Sequence, residues 1–99
     1  MKTADIIKNA IGSGEGGAVA SKELQVIAGI TERELRKSIE TLRRQGCVIL
    51  SGQNGYYYPE TLGELRQHIK KESRRARSIF YTLRSAKELE RLMQEGDAN

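Results

Sequence analysis

Cysteine is nearly missing from this chain of 99 residues, which has Cys47 alone. A single thiol cannot form an internal disulfide, and it cannot supply the ligand cluster of a structural zinc site. A lone cysteine is typical of a protein from a reducing compartment, so we expect a cytoplasmic location. No base is evident beside Cys47, which we interpret as a small buried apolar residue rather than a nucleophile.

Long apolar runs, histidine and aromatic residues are also scarce. No segment approaches the roughly 18 apolar residues of a membrane-spanning helix, and the N-terminus has no apolar run that suits a signal peptide. The only histidine, His68, is predicted on the exposed side of a helix, which gives little basis for a general base. We expect no enzyme activity, metal, cofactor, small-molecule ligand or membrane contact.

Charge of both signs is abundant. The chain has 17 Lys and Arg against 13 Asp and Glu, a formal net charge of +4. This excess is compatible with a polyanionic partner, but it is modest and does not identify one. The length predicts one small domain with an appendage, and because a core of that size is marginally stable, self-association is a reasonable expectation.

Two short helices are predicted at the start of the chain. Apolar residues three and four apart indicate a helix over Thr3–Ile11 with Thr3 as its N-cap. The glycine-rich segment Gly12–Gly17 matches the dinucleotide-binding pattern G-x-G-x-x-G, but that loop should follow a buried strand, and here it follows a helix. We interpret it as a flexible connector. The second helix begins near Ser21 and ends at Gly29.

A longer basic helix is predicted over Thr31–Gln45, with Thr31 and Glu34 forming a capping box. Leu24, Ile27 and Ala28 of the preceding helix should face the core, and Ile30 should fill the angle between the two helices. On the longer helix Leu35, Ile39 and Leu42 mark the inward face. The side chains then turned to solvent are Arg33, Lys37, Glu40, Thr41 and Arg44, flanked by Arg36 and Arg43. The alternative to a binding surface is a solvated face with the ion pairs Glu32–Arg36 and Glu40–Arg44.

A β-hairpin is predicted after this helix. Cys47–Leu50 and Gly55–Tyr58 have strand composition, Ser51–Asn54 has turn chemistry, and Pro59 ends the second strand. Alternation along that strand puts Tyr57 on the face opposite its neighbouring tyrosines, and we expect Tyr57 to pack inward. An outward tyrosine is then a candidate donor to a phosphate.

The order short helix, tight turn, basic helix and hairpin over Ser21–Pro59 resembles the winged helix–turn–helix family, here over about Thr3–Pro59. This resemblance implies a mainly α fold with a small β-hairpin, in which the basic helix enters the major groove of DNA. It implies DNA contacts from Thr31, Arg33, Arg36 and Lys37, and from Gln53 and Asn54 at the wing tip. The wing turn has no Arg or Lys, so we expect it to contact the backbone only.

A long helix is predicted from Thr61 to about Glu95, with a second capping box at Thr61 and Glu64. Its apolar positions alternate at spacings of three and four, which is a coiled-coil pattern. The proposed dimerisation seam is Leu65, Ile69, Ala76, Ile79, Leu83, Ala86 and Met93. Glu72 and Glu90 interrupt that seam, and the segment from Ser73 to Lys87 is basic. The alternative is that Leu62, Leu65 and Ile69 pack on the chain's own winged domain while the rest is a free basic helix.

These observations predict a winged helix–turn–helix domain at 1–59, a dimerising helix at 60–96 and a disordered tail at 97–99. The predicted function is sequence-selective binding of double-stranded DNA by a homodimer, as a small transcriptional regulator. Small stand-alone winged domains of bacteria and their phages look similar. The alternative is a protein-interaction adaptor of replication or phage assembly that uses the winged domain and the long helix as a scaffold.

Overall fold

The computed structural model describes residues 2–98, and it is mainly helical with a small three-stranded sheet and a long C-terminal helix. The predicted fold class, helices with a small β-hairpin, is confirmed. The elements are α1 (Thr3–Ala10), β1 (Gly12–Ser13), a 3-10 turn (Glu15–Gly17), α2 (Ser21–Ala28), α3 (Glu32–Arg44), β2 (Leu50–Gly52), β3 (Gly55–Tyr58) and α4 (Leu62–Ala98).

The chain divides into two units, Met1–Leu65 and Arg66–Asn99. We predicted that the first domain ends at residue 59, whereas the first unit also includes the first turn of α4. The physical reason is a set of hydrogen bonds to one carboxylate. Glu64 accepts hydrogen bonds from the backbone N–H groups of Glu15, Glu60 and Thr61 at 2.9–3.2 Å, which joins this turn to the segment after β1. These bonds lower the pKa of Glu64 below its ordinary value.

The core of the first unit lies between α1, α2 and α3. The inward face predicted for α3 is confirmed, since Leu35, Ile39 and Leu42 are at most 2% exposed. The other members of this cluster are Ile7, Ile11, Leu24 and Ile49. Ile27 was predicted to join them, but it is 50% exposed, because Leu24 and Ala28 already occupy the inward side of the eight-residue helix α2.

The turn between α2 and α3 has the predicted geometry. Gly29 adopts the left-handed conformation, with φ 64° and ψ 41°, and Ile30 packs against the core. At the start of α3 the Thr31 side chain accepts from the Glu34 N–H while the Glu34 carboxylate accepts from the Thr31 N–H, so the capping box is confirmed.

The N-caps predicted for the two shorter helices were wrong by one residue. Lys2 and Ala20 are the N-caps of α1 and α2, and neither provides a side-chain hydrogen bond. Thr3 and Ser21 are instead the first helical residues, and the Ser21 hydroxyl accepts a hydrogen bond from the side-chain amide of Gln25.

The sheet has the order β1-β3-β2, with β3 parallel to β1 and antiparallel to β2. The glycine-rich segment is therefore not the flexible connector that the sequence suggested. Gly12 and Ser13 pair with β3, and a Cβ atom at Gly12 would collide with the carbonyl of Gly17. Only glycine permits this close approach, which folds the segment back on itself.

The hairpin is shorter than predicted, because β2 begins at Leu50 and not at Cys47. Leu50 lies opposite Tyr57 and Gly52 lies opposite Gly55, which leaves Gln53 and Asn54 as the connecting residues. Gly55 has φ 122°, and a Cβ atom there would collide with the carbonyl of Val19. Glycine at this position therefore lets the hairpin lie against the segment that precedes α2.

The faces predicted for the tyrosines were reversed. Tyr56 and Tyr58 pack against the main core, whereas Tyr57 lies on the other face of the sheet. The Tyr58 hydroxyl donates to the Lys8 carbonyl at 2.6 Å, which ties β3 to the end of α1. Burial, with a contribution from Cys47, raises the pKa of Tyr58. The alternation of side chains along β3 predicted that Tyr57 and its neighbouring tyrosines lie on opposite faces of the sheet. Which of these faces packs against the core depends on the position of α1.

The helix α4 runs from Leu62 to Ala98 and begins with the predicted capping box, in which the Glu64 N–H donates to the Thr61 hydroxyl at 3.1 Å. A disordered tail was predicted at 97–99, but the helix continues through Ala98, because Gly96 keeps helical geometry instead of the positive φ that ends helices. Asn99, the last residue of that predicted tail, lies outside the described residues. None of the helices described here is long and apolar enough to cross a membrane.

Candidate nucleic-acid interface

The outer side of α3 is a cationic surface braced by apolar packing. Its 13 residues give a length of about 20 Å at about 1.5 Å per residue. Leu35, Ile39 and Leu42 fix the helix from behind, so the side chains on the other side are held in a defined row. Every α3 residue predicted to contact DNA is exposed: Arg33, Arg36, Lys37, Thr41 and Arg44.

Two of these cations are partly neutralised by neighbours on the same helix. An Arg36 Nη2 lies 2.9 Å from a Glu32 carboxylate oxygen, and an Arg44 Nη2 lies 2.7 Å from a Glu40 oxygen. Both pairs were expected from their i,i+4 spacing and both are exposed, with side-chain accessibilities of 60–79%. Exposed pairs of this kind contribute only about 0.3–0.5 kcal/mol, and each arginine keeps further N–H donors that are available to a phosphate.

Arg33 and Lys37 are the cations without such a restraint. Within the described residues neither forms an ion pair. They lie four residues apart on α3, on the side away from the core, so their charges project in the same direction. The two α3 cations whose side chains have neither an ion pair nor a hydrogen bond among the described residues are therefore both in its first half.

The two predicted threonine contacts already have hydrogen-bond partners. The Thr31 hydroxyl donates to the Glu34 carboxylate at 3.0 Å and accepts from the Glu34 N–H at 3.2 Å. The Thr41 hydroxyl donates to the Lys37 carbonyl at 3.0 Å. Both hydroxyl oxygens keep acceptor capacity, so each threonine can accept a hydrogen bond from a base while its present bonds persist.

A cleft of about 500 Å³ brings the helix and the hairpin together. Glu32 and Arg36 of α3 line it together with the connecting residues of the hairpin, Gln53 and Asn54. Its remaining walls are Ala20, Ser21, Ser51, Gly52, Gly55 and Tyr56. Predicted contacts from two separate segments therefore share one surface, while Arg33, Lys37, Thr41 and Arg44 lie outside the cleft.

The first turn of α2 is a part of this cleft that sequence reasoning missed. Ala20 and Ser21 line it, and no side chain caps the helix. The first N–H groups of an α-helix have no intrahelical partner and favour negative charge. We did not predict this feature, because we expected the Ser21 side chain to cap the first N–H groups of α2.

Arg43 has a structural role that the helical pattern did not reveal. Its Nε and Nη2 atoms donate to the Ile49 carbonyl at 2.9 and 2.7 Å. This two-pronged contact fixes the segment between α3 and β2, and so sets where the hairpin lies beside α3. The sequence did not predict this role, because a cation at the edge of an exposed helix face can point either to solvent or to a neighbouring segment of the chain.

The residues predicted for dimerisation lie along α4. Leu65 is half-buried within the first unit. In the second unit Ile69, Ile79, Leu83 and Met93 are 49–63% exposed, and Ala76 and Ala86 are also exposed. The spacing of this seam is retained because α4 is continuous. Its large apolar side chains remain accessible to a second chain.

Within residues 2–98 no group of three or more His, Cys, Asp or Glu side chains could hold a metal ion. Comparison with models of known protein families, with curated proteins and with solved structures finds no match to this chain. The surface around α3 must therefore be interpreted from its own geometry and charge.

Proposed function

We propose that this chain is a homodimeric transcriptional regulator of the cytoplasm, and that its first unit is a winged helix–turn–helix domain that binds double-stranded DNA sequence-selectively. The observation that carries the proposal is the exposed cationic side of α3, held in place by the buried residues Leu35, Ile39 and Leu42. An α-helix with its side chains is about 10–12 Å across, and the major groove of B-DNA is about 12 Å wide.

Arg33 and Lys37 suit the central contacts. Arg can donate two hydrogen bonds to the O6 and N7 atoms of guanine, and Lys can neutralise a phosphate. Because both lie in the first half of α3, they lie in the part of a recognition helix that meets base edges. We propose that Thr31, at the N-terminal cap, accepts a hydrogen bond from a base or approaches the methyl group of thymine.

The cleft suits the adjacent phosphate backbone. The guanidinium of Arg36, the amides of Gln53 and Asn54 and the uncapped start of α2 all supply hydrogen-bond donors there. Glu32 is the opposing feature, because its carboxylate would repel a phosphate unless Arg36 stays beside it. We propose that Arg36 bridges Glu32 and a phosphate, which retains the charge balance.

Selection of bound duplexes from a random pool tests this function. An enriched motif, together with affinity that falls steeply as salt rises, is the expected result, because each neutralised phosphate contributes about 0.9 to the slope of log K against log salt. No enrichment and no salt-dependent binding would overturn the proposal. Sedimentation of the full chain beside Leu83→Glu tests the homodimer, with a dimer expected for the first and a monomer for the second.

A protein-interaction adaptor is the second candidate, and one observation favours it. Val26 and Ile27 are neighbours on α2 with 82% and 50% exposure, so they form an apolar spot beside the turn that leads to α3. Replacement of both by serine separates the two functions. If the unit binds DNA, the variant should retain the affinity of the original chain for its selected duplex, whereas an adaptor would lose its protein partner.

A further inference from the structure

The second unit contains one described element, the helix α4, so no other described element of that unit covers its apolar side chains. Ile79 and Phe80 are 57% and 60% exposed at the middle of the helix, and Leu83 is 49% exposed one turn later. A contiguous apolar stripe on a solvent-facing helix marks an association surface. Most helical stability in proteins also comes from packing of such a face.

The part of the seam that lies in the second unit, together with its two interrupting glutamates, is a palindrome in its chemistry. In order it reads large apolar, Glu, Ala, large apolar, then large apolar, Ala, Glu, large apolar. The eight positions are Ile69, Glu72, Ala76, Ile79, Leu83, Ala86, Glu90 and Met93. Every position has a counterpart of the same kind at an equal distance from Tyr81, which is near the middle of Leu62–Ala98. A two-fold axis at Tyr81 would therefore place like beside like from residue 69 to residue 93 of two helices.

Charge is distributed unequally along the same helix. Residues 66–87 contain eight Lys or Arg and one Glu, whereas residues 88–95 contain three Glu and one Arg. Paired helices lie about 8–10 Å apart, which is comparable with the screening length of about 8 Å at physiological salt. Flanking charges on two paired helices therefore influence each other.

We infer that two copies of this chain pair antiparallel through residues 69–93 of α4, about an axis at Tyr81. The inference rests on the self-association in the proposed function and specifies its geometry. In this register residues 88–95 lie beside residues 67–74 of the partner, which contain three Lys or Arg and one Glu. A parallel pair would instead place the two cationic segments side by side.

The glutamates on the seam face each other in this register, and the repulsion between them requires a neighbouring cation. Glu72 meets the partner's Glu90, and an Arg75 nitrogen already lies 3.3 Å from the Glu72 carboxylate. Arg75 flanks this layer and can reach both carboxylates. Any shift by one heptad would pair Glu with a large apolar residue, so the two charged layers also fix the register.

Disulfide trapping distinguishes the arrangements. In a Cys47→Ser background, Ala76→Cys and Ala86→Cys are prepared separately, one of them labelled with ¹⁵N. They are then mixed in a glutathione redox buffer, and the disulfide dimers are identified by mass. The antiparallel seam places Ala76 beside the partner's Ala86, so mixed dimers should exceed the half expected from random pairing.

The composition of the disulfide dimers decides whether the antiparallel arrangement and the homodimer stand. An excess of same-variant dimers means parallel pairing and overturns this inference, although the proposed homodimer stands. No seam disulfide, with a monomeric mass in sedimentation, overturns both the inference and the homodimer. Ser78→Cys and Ser85→Cys, which lie away from the seam, are the matched controls and should not cross-link. DNA binding is scored separately on the reduced Cys47→Ser protein, so failure of the seam is distinguishable from failure of DNA recognition.

Discussion

Replacing Arg36 and Lys37 together with alanine removes two adjacent cations from the outer side of α3. Arg36 lines the cleft and Lys37 lies outside it, so the pair samples both parts of the proposed interface. If each contacts one phosphate, the slope of log K against log salt should fall by about 1.8 per bound subunit, and by about 3.6 for a dimer on two half-sites.

Those slopes translate into affinities over an accessible salt range. Lowering salt fourfold, from about 200 to about 50 mM, strengthens DNA binding of both proteins, but less for the variant. If one subunit contacts DNA, the gain in affinity of the variant should be about 12-fold smaller than that of the original chain, and if two do, about 150-fold smaller. The size of this difference in affinity gain therefore also shows whether one or two subunits contact DNA. Fluorescence anisotropy with a labelled duplex at several salt concentrations measures it directly.

The same variant should remain folded. The Arg36–Glu32 pair is exposed, with side-chain accessibilities of 73% and 60%, so its loss costs about 0.5 kcal/mol or less. The hydrogen bond from Thr41 reaches the Lys37 carbonyl, which alanine retains. We expect a fall of about 2–4 °C or less in the unfolding midpoint, on the usual scale for a domain of this size.

A matched control separates the surface from the overall charge. Lys2→Ala with Lys8→Ala removes the same charge from exposed positions at the two ends of α1, outside α3 and outside the proposed dimer seam. The control should leave the slope nearly unchanged. The assignment of α3 as the DNA-contacting element is refuted if the slope of the Arg36 and Lys37 variant is unaltered, or if the control lowers it by the same amount.

Three further predictions concern stability. Thr31→Ala should lower the free energy of unfolding by about 1 kcal/mol in denaturant titration, while Thr31→Ser retains the cap and most of the stability. Gly55→Ala should cost at least about 1 kcal/mol because of its positive φ and the Val19 carbonyl, whereas Gly16→Ala, with no neighbour within 4 Å, should stay within about 0.5 kcal/mol. Glu64→Gln should lower the thermal midpoint at neutral pH, and this difference should close on acidification.

The sign for Glu64 follows from its lowered pKa in the folded state. Its stabilisation is complete above the ordinary carboxyl value of 4.5 and is lost as pH falls through the lower, folded value. Protonated Glu64 then resembles glutamine, so the two midpoints converge. A constant gap down to strongly acidic pH would mean that the carboxylate charge is not what holds the first turn of α4. Equal stability of Gly55→Ala and Gly16→Ala would likewise contradict the close approach of the hairpin to Val19.

Much of α3 was predictable because its signals are local. The capping box needs only Thr31 and Glu34, and the inward face follows from the spacing of Leu35, Ile39 and Leu42. The long helix was predictable for the same reason, since nothing between Gly63 and Gly96 breaks a helix. Helical periodicity and capping depend on neighbours within about one turn, so a single sequence contains them.

The cleft was not predictable, because it depends on how separate segments meet. The sequence named Arg36, Gln53 and Asn54 as separate candidates, and nothing in their spacing showed that they line one surface. Their proximity depends on the hairpin lying beside α3, which the contact from Arg43 to the Ile49 carbonyl supports. The half-exposed Ile27 has the same explanation, because burial depends on which elements cover a short helix.

The sequence by itself determined the helices, the turn between α2 and α3 and the palindromic order of apolar and acidic residues along α4, since these follow from residue order and helical geometry. Tertiary structure alone decided that Gly12 and Ser13 extend the sheet and that Tyr58 rather than Tyr57 faces the main core. The physical reason is the range of the interactions. Caps and periodicity act between near neighbours, whereas strand pairing and burial depend on residues about 40–50 positions apart, as in the hydrogen bond from Tyr58 to the Lys8 carbonyl.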